Sequence, residues 1–251
     1  MTANLLEILF HDDHFVAVNK SAGLLVHRSD LDRHETAFAL QMVRDQVGRH
    51  VYPVHRLDRP TSGVLLFALS PEAARRAADA FDSDAVRKTY LAVVRGVTAE
   101  EAVIDYPLQE LFDRYAANGD KGGEAKEAVT TFRRLAMVEL PFPAGKFPTV
   151  RYSLLEVRPR TGRRHQIRRH LKHIFHPIIG DTTYGEGRHN RLFRDQLGCS
   201  RMLLHAAELT LPHPWSGETV TITAPLDEDF ADLIRRLGWQ GSIPQDAELR
   251  L

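Results

Sequence analysis

The chain has 251 residues, 43% of them hydrophobic and 26% charged, a composition that excludes a disordered chain. Its 33 Lys+Arg offset 33 Asp+Glu, and a chain of this length buries enough surface to fold without a disulfide or metal staple. The single cysteine, Cys199, excludes an intramolecular disulfide and fits a reducing compartment; no basic, apolar leader opens the chain, and the longest apolar run, residues 64–69, is too short to span a bilayer. A cytoplasmic, soluble location is expected.

No linker, repeat or low-complexity tract interrupts the chain, so one domain over residues 1–251 is expected. Residues 6–10 and 15–19 predict two short strands about a polar turn, and 37–47 show apolar residues at helical spacing. Residues 51–57 and 63–69 predict strands. Ser70 as N-cap and Pro71 at the first helical position predict a helix over 71–81. Residues 88–95, 130–135 and 152–157 alternate as strands do, and 163–173 predict a basic helix stopped by Pro177. A strand pair over 202–211 and 218–224 and a closing helix over 228–237 complete the order, while 116–126 and 141–148 read as exposed loops. Hairpin connections dominate, which predicts an α+β fold on a mixed, mainly antiparallel sheet.

The neutral total conceals a local asymmetry. Residues 151–201 carry 12 basic against 4 acidic side chains, and residues 158–172 hold Arg158, Arg160, Arg163, Arg164, Arg168, Arg169 and Lys172 with no acid. Such a segment suits a polyanion, because each phosphate neutralised releases counterions. A solvated helix face is the bland alternative, weakened by the lack of acids for i,i+4 pairing. Histidines 165, 170, 173 and 176 match no metal-ligand spacing, so no metal is expected.

The chemistry concentrates in His55-Arg56-Leu57-Asp58-Arg59-Pro60-Thr61-Ser62-Gly63. If the preceding strand continues to Asp58, then Val54, Arg56 and Asp58 share a face. Arg56 and Arg59 would keep the Asp58 carboxyl ionised at neutral pH. The alternative is an Asp that merely caps a turn. The order differs from a kinase His-Arg-Asp loop, and no Gly-x-Ser-x-Gly elbow marks a hydrolase nucleophile.

Four stretches in order resemble the RluA-type pseudouridine synthases: Val18-Asn19-Lys20-Ser21-Ala22-Gly23, the His55–Gly63 motif itself, Arg87-Lys88-Thr89-Tyr90, and Thr161-Gly162-Arg163-Arg164-His165-Gln166-Ile167-Arg168 with Leu203-Leu204-His205-Ala206 downstream. Ser21 stands where the family has proline, which removes a φ restraint but no chemical group. The resemblance implies the family's α+β fold with a central RNA-binding cleft; no S4-type domain is expected ahead of the first stretch. It also implies isomerisation of uridine to pseudouridine, with Asp58, Tyr90 and Arg168 as catalytic residues. The N1–C1′ bond breaks and C5 joins C1′ without net redox change, so no cofactor is required.

On this reading Asp58 is a carboxylate nucleophile, Arg168 pairs with it, and Tyr90 holds the flipped base. Arg56 fills the vacated space, Ile167 and Leu204 pack the uracil, and Arg160, Arg163, Arg164, Arg169 and Lys172 contact phosphates. Residues 26–33 and 237–244 carry a narrower resemblance to tRNA-acting members and imply uridine 65 of tRNA as target, modified by a monomer without an obligate protein partner. A non-catalytic RNA-binding protein is the first alternative, and another RNA target, ribosomal RNA, is the second. A glycoside or nucleoside hydrolase would need two flanking carboxylates, and the motifs supply one.

Overall fold

The computed structural model describes residues 5–27, 37–83, 85–110 and 123–243. Residues 116–122 of the expected loop over 116–126 lie outside these, as do residues 28–33 and 244 of the two stretches that carry the narrower resemblance. The chain forms two compact units, the first from residues 1–90 and 204–251, the second from 91–203.

In the first unit β1 (Ile8–His11), β2 (Phe15–Lys20), β4 (Ser62–Ala68) and β11 (Leu204–Pro212) lie side by side in that order. β3 (Tyr52–Pro53) pairs with β4, and β12 (Thr219–Thr223) with β11. All these pairs are antiparallel except β4 with β11, which follows from the long excursion of the chain between them. Both faces of β2 and β4 are covered. Val16, Val18, Leu65 and Phe67 join Ala39 and Val43 of α1 (Ala39–Val47) in one apolar cluster. Phe15, Ala17, Val64, Leu66 and Ala68 join Ala73 and Ala77 of α2 (Pro71–Asp82) in the other. That explains the unbroken apolar run, since a strand buried on both sides has no polar face to alternate. Ser70 caps α2 as its sequence predicts, its hydroxyl accepting from Ala73 N–H at 3.1 Å. Asp227 does the same for α5 (Glu228–Arg236) by accepting from Phe230 N–H.

The expected strand over 51–57 is corrected: pairing ends at Pro53. Val54 N–H still donates to Leu66 C=O at 3.1 Å, but Leu66 N–H donates to the His55 ring nitrogen Nε2, also at 3.1 Å. An imidazole thus takes the place of the next ladder carbonyl, and the backbone leaves the sheet as a loop. Arg56 and Asp58 therefore share no strand face.

In the second unit β5 (Arg87–Arg95, whose last five residues belong here), β10 (Val150–Pro159), β9 (Val129–Leu140) and β6 (Glu101–Asp105) follow in that order. β9 and β10 make a long antiparallel hairpin closed by residues 141–149, the second expected loop. β7 (Leu108–Gln109) and β8 (Ala125–Lys126) form a separate ribbon. The basic helix α3 (Gln166–His173) begins three residues later than its sequence predicts. Buried Gln166 is the reason: its Oε1 accepts from Arg163 N–H and the Thr161 hydroxyl, and its Nε2 donates to Val129 C=O and Thr130 Oγ1. Those bonds hold residues 161–165 as a loop. α4 (Gly187–Leu197) was not anticipated, because its sequence is too polar to show an apolar stripe.

Candidate active site

Asp58 sits half-buried at the start of a tight turn in which Thr61 N–H donates to Asp58 C=O at 3.0 Å. The turn is tied to the segment after β2. Arg59 C=O accepts from Gly23 N–H at 2.8 Å, and Arg59 Nε donates to Gly23 C=O at 3.0 Å. Lys20, fully buried at the end of β2, donates from Nζ to Ser21, Leu24 and Arg59 carbonyls at 2.9, 2.8 and 3.2 Å. A buried ammonium is tolerable only with such partners, so its burial holds both turns in one arrangement. Strand alternation puts Lys20 on the same face as Val16 and Val18, the one sequence signal that it points inward.

Past the turn, Gly63 has φ +109°, and a Cβ there would lie 2.1 Å from Ala206 C=O. Only glycine allows β4 and β11 to approach this closely. Beside it the buried Ser62 hydroxyl and His205 Nδ1 are 2.8 Å apart, while Nε2 of His205 meets Ala224 C=O at 3.1 Å. The Asp58 turn therefore enters the sheet through a clamped pair.

Tyr90, half-buried, packs against the apolar cluster that contains Leu57 and Ala206. Burial first, and then the negative charge of Asp58, push its hydroxyl well above the usual phenol range. The fold thus brings Asp58 and Tyr90 within electrostatic reach, and Tyr90 offers a protonated phenol. His55 stacks on Phe81 with ring centroids 5.3 Å apart. Burial, then the charge of Lys88, lower its pKa to about 4, which keeps the ring neutral and its Nε2 an acceptor for Leu66 N–H. Burial also lowers Lys88. Arg56 is exposed, whereas Leu204 opens β11 with 3% exposure and belongs to the packed interior.

In the second unit Arg168 is buried and binds Asp181 side-on, Nε to Oδ2 at 2.7 Å and Nη2 to Oδ1 at 2.9 Å. Asp181 also accepts from the N–H groups of Thr183 and Tyr184. Burial pushes its carboxyl up, but these bonds and the Arg168 charge outweigh it and the net shift is downward. Asp181 was not singled out from sequence, since nothing local links it to a helix residue 13 positions earlier. Ile167, on the same helix, is 7% exposed.

Of the seven bases in residues 158–172, two are neutralised: Arg168 by Asp181, and Arg158 by Glu156 at 3.0 Å, an acid just ahead of the run. Arg160, Arg163, Arg164 and Lys172 are exposed and Arg169 half-exposed, and none has an ion-pair partner among the described residues. The four histidines disperse. His165 meets the Tyr184 hydroxyl, His170 Thr130 and Tyr106 C=O, His173 stacks on Tyr106, and His176 donates to Arg95 C=O.

The chain is similar to known proteins in sequence and in fold. A family model described as RNA pseudouridylate synthase matches residues 14–173. The chain is 53% identical over 242 residues to tRNA pseudouridine synthase C of Vibrio cholerae, covering 95% of this chain and 98% of the relative. It is 52% identical over 237 residues to the protein of the same name from Haemophilus influenzae, covering 94% and 99%. The solved structure of human RNA Pseudouridylate Synthase Domain Containing 1 superposes with a TM-score of 0.68 at 28% identity, over 90% of this chain and 85% of that one. The α+β expectation thus holds as the fold of these enzymes, and the chain belongs to the RNA pseudouridylate synthase family.

Proposed function

We propose that this chain, acting as one catalytic domain and as a monomer in the cytoplasm, isomerises uridine 65 of tRNA to pseudouridine with Asp58 as the catalytic carboxylate. The observation that carries the proposal is the Asp58 turn, cross-tied by Lys20 and Gly23 and set beside the protonated Tyr90. The relatives named for tRNA supply the substrate class, and one buried cysteine suits a reducing compartment.

A paired uridine must leave its stack to reach a side chain, at a cost of a few kcal/mol. Asp58 then meets the flipped nucleoside as the nucleophile while the N1–C1′ bond breaks; the uracil turns, C5 bonds to C1′, and the C5 proton is released to solvent as N1 gains one. Tyr90 supplies a flat face and an O–H to hold the base. Arg56, exposed two residues before Asp58, occupies the gap in the RNA helix, with Ile167 and Leu204 as buried support. Arg168 enters as the family's guanidinium, with Asp181 fixing its plane. Arg160, Arg163, Arg164, Arg169 and Lys172 position the phosphates without reading sequence.

Release of tritium from tRNA labelled with [5-³H]uridine tests the reaction, and mapping modified uridines in RNA from cells with and without the protein tests the position. Wild type should release tritium, and Asp58→Asn should release none while still binding tRNA. Near-normal turnover by Asp58→Asn would refute the assignment. Free uracil among the products would instead indicate hydrolysis.

A further inference from the structure

Phe175, at 78%, is the most exposed large hydrophobic side chain among the described residues, and its backbone is left-handed at φ +63°. It follows α3 at the position where helices usually place glycine. Phe175 N–H donates to Lys172 C=O at 3.0 Å, and His176 N–H to Leu171 C=O at 2.9 Å, the paired bonds that close such an end. The turn is also held from outside. Arg95 Nη2 donates to Phe175 C=O at 2.8 Å, and His176 Nδ1 to Arg95 C=O at 2.8 Å. The fold therefore fixes an unfavourable conformation on a ring from which it gains almost no burial, and for stability alone glycine would serve better.

The surroundings identify the partner. Lys172 is exposed, Arg169 half-exposed, and exposed His173 stacks on Tyr106 with centroids 3.7 Å apart. Neither Lys172 nor Arg169 has a carboxylate partner among the described residues. Cations beside exposed rings suit single-stranded nucleic acid, whose bases stack while its phosphates are neutralised. The negative end of the α3 dipole disfavours a phosphate directly over Phe175, so the ring meets the face of a base.

We propose that Phe175 is a stacking platform for an unpaired base of the RNA substrate, flanked by phosphates on Lys172 and Arg169. The inference rests on the RNA-modifying function proposed above and adds a contact to a base of the substrate.

Binding of in vitro transcribed tRNA by wild type, Phe175→Gly and Phe175→Trp tests it, together with thermal melting of each. Phe175→Gly should bind about 5- to 150-fold more weakly yet melt at a higher temperature, because the strain is gone. Phe175→Trp should keep the affinity, and its added indole emission should be quenched by tRNA. Equal binding by wild type and Phe175→Gly overturns the proposal, as does a lower melting temperature for Phe175→Gly, which marks a structural role. Loss of self-association in Phe175→Gly with tRNA binding unchanged would overturn it in favour of a contact between copies of the chain. A wild type that binds no tRNA would refute the proposed function itself.

Discussion

Replacing His55 by glutamine isolates one titrating group next to the Asp58 turn. Glutamine keeps an oxygen to accept from Leu66 N–H but cannot ionise. In the folded chain His55 titrates at about 4 rather than 6.5, because burial and Lys88 oppose its protonation. The unfolded chain therefore takes up this proton first as the pH falls, and binding to the unfolded state favours unfolding. The contribution of neutral His55 is fully present above 6.5 and is lost as the pH falls towards 4. Over that window the loss amounts to about 3 kcal/mol for a single group. Urea denaturation of wild type and His55→Gln at a series of pH values measures it. Carboxylates and the other histidines titrate in both proteins and cancel in the difference. Wild type should lose stability relative to His55→Gln by about 3 kcal/mol on acidification from pH 7 to pH 4. Parallel curves would show that His55 is solvated or that its Nε2 does not hold Leu66, and the explanation of why the strand ends at Pro53 would fall with it.

Two further outcomes follow from charge. Arg168→Ala should abolish turnover and cost about 3–5 kcal/mol, because Asp181 is left buried without its guanidinium; adding Asp181→Asn should restore part of the stability, measured by denaturation, but none of the turnover. If Arg160, Arg163, Arg164, Arg169 and Lys172 each neutralise a phosphate, a plot of log affinity for tRNA against log salt should have a slope of about −3.5 to −4.5, and a flat plot would remove the basic segment from the interface.

Much of the candidate site is legible in the sequence. The His55–Gly63 motif, Tyr90 and the basic helix stand in linear order, and their side chains announce a carboxylate, an aromatic face and a cationic surface. Local chemistry also set the cap at Ser70, because a hydroxyl at a helix start reaches N–H groups two or three residues away.

What escaped the sequence depends on distant partners. Lys20 reads as a surface lysine until its ammonium is found among three carbonyls, one of them 39 residues away. Gln166 and Asp181 look like ordinary polar residues until Val129, Thr130 and Arg168 are brought to them. The charge run likewise overstated the free cations, since Glu156 and Asp181 claim two of the seven. The order of residues thus determined which chemical groups this protein has and, through the Ser70 cap, where α2 begins. Folding decided which of those groups are neutralised, buried or left facing outward, because hydrogen bonds and ion pairs form by proximity in space.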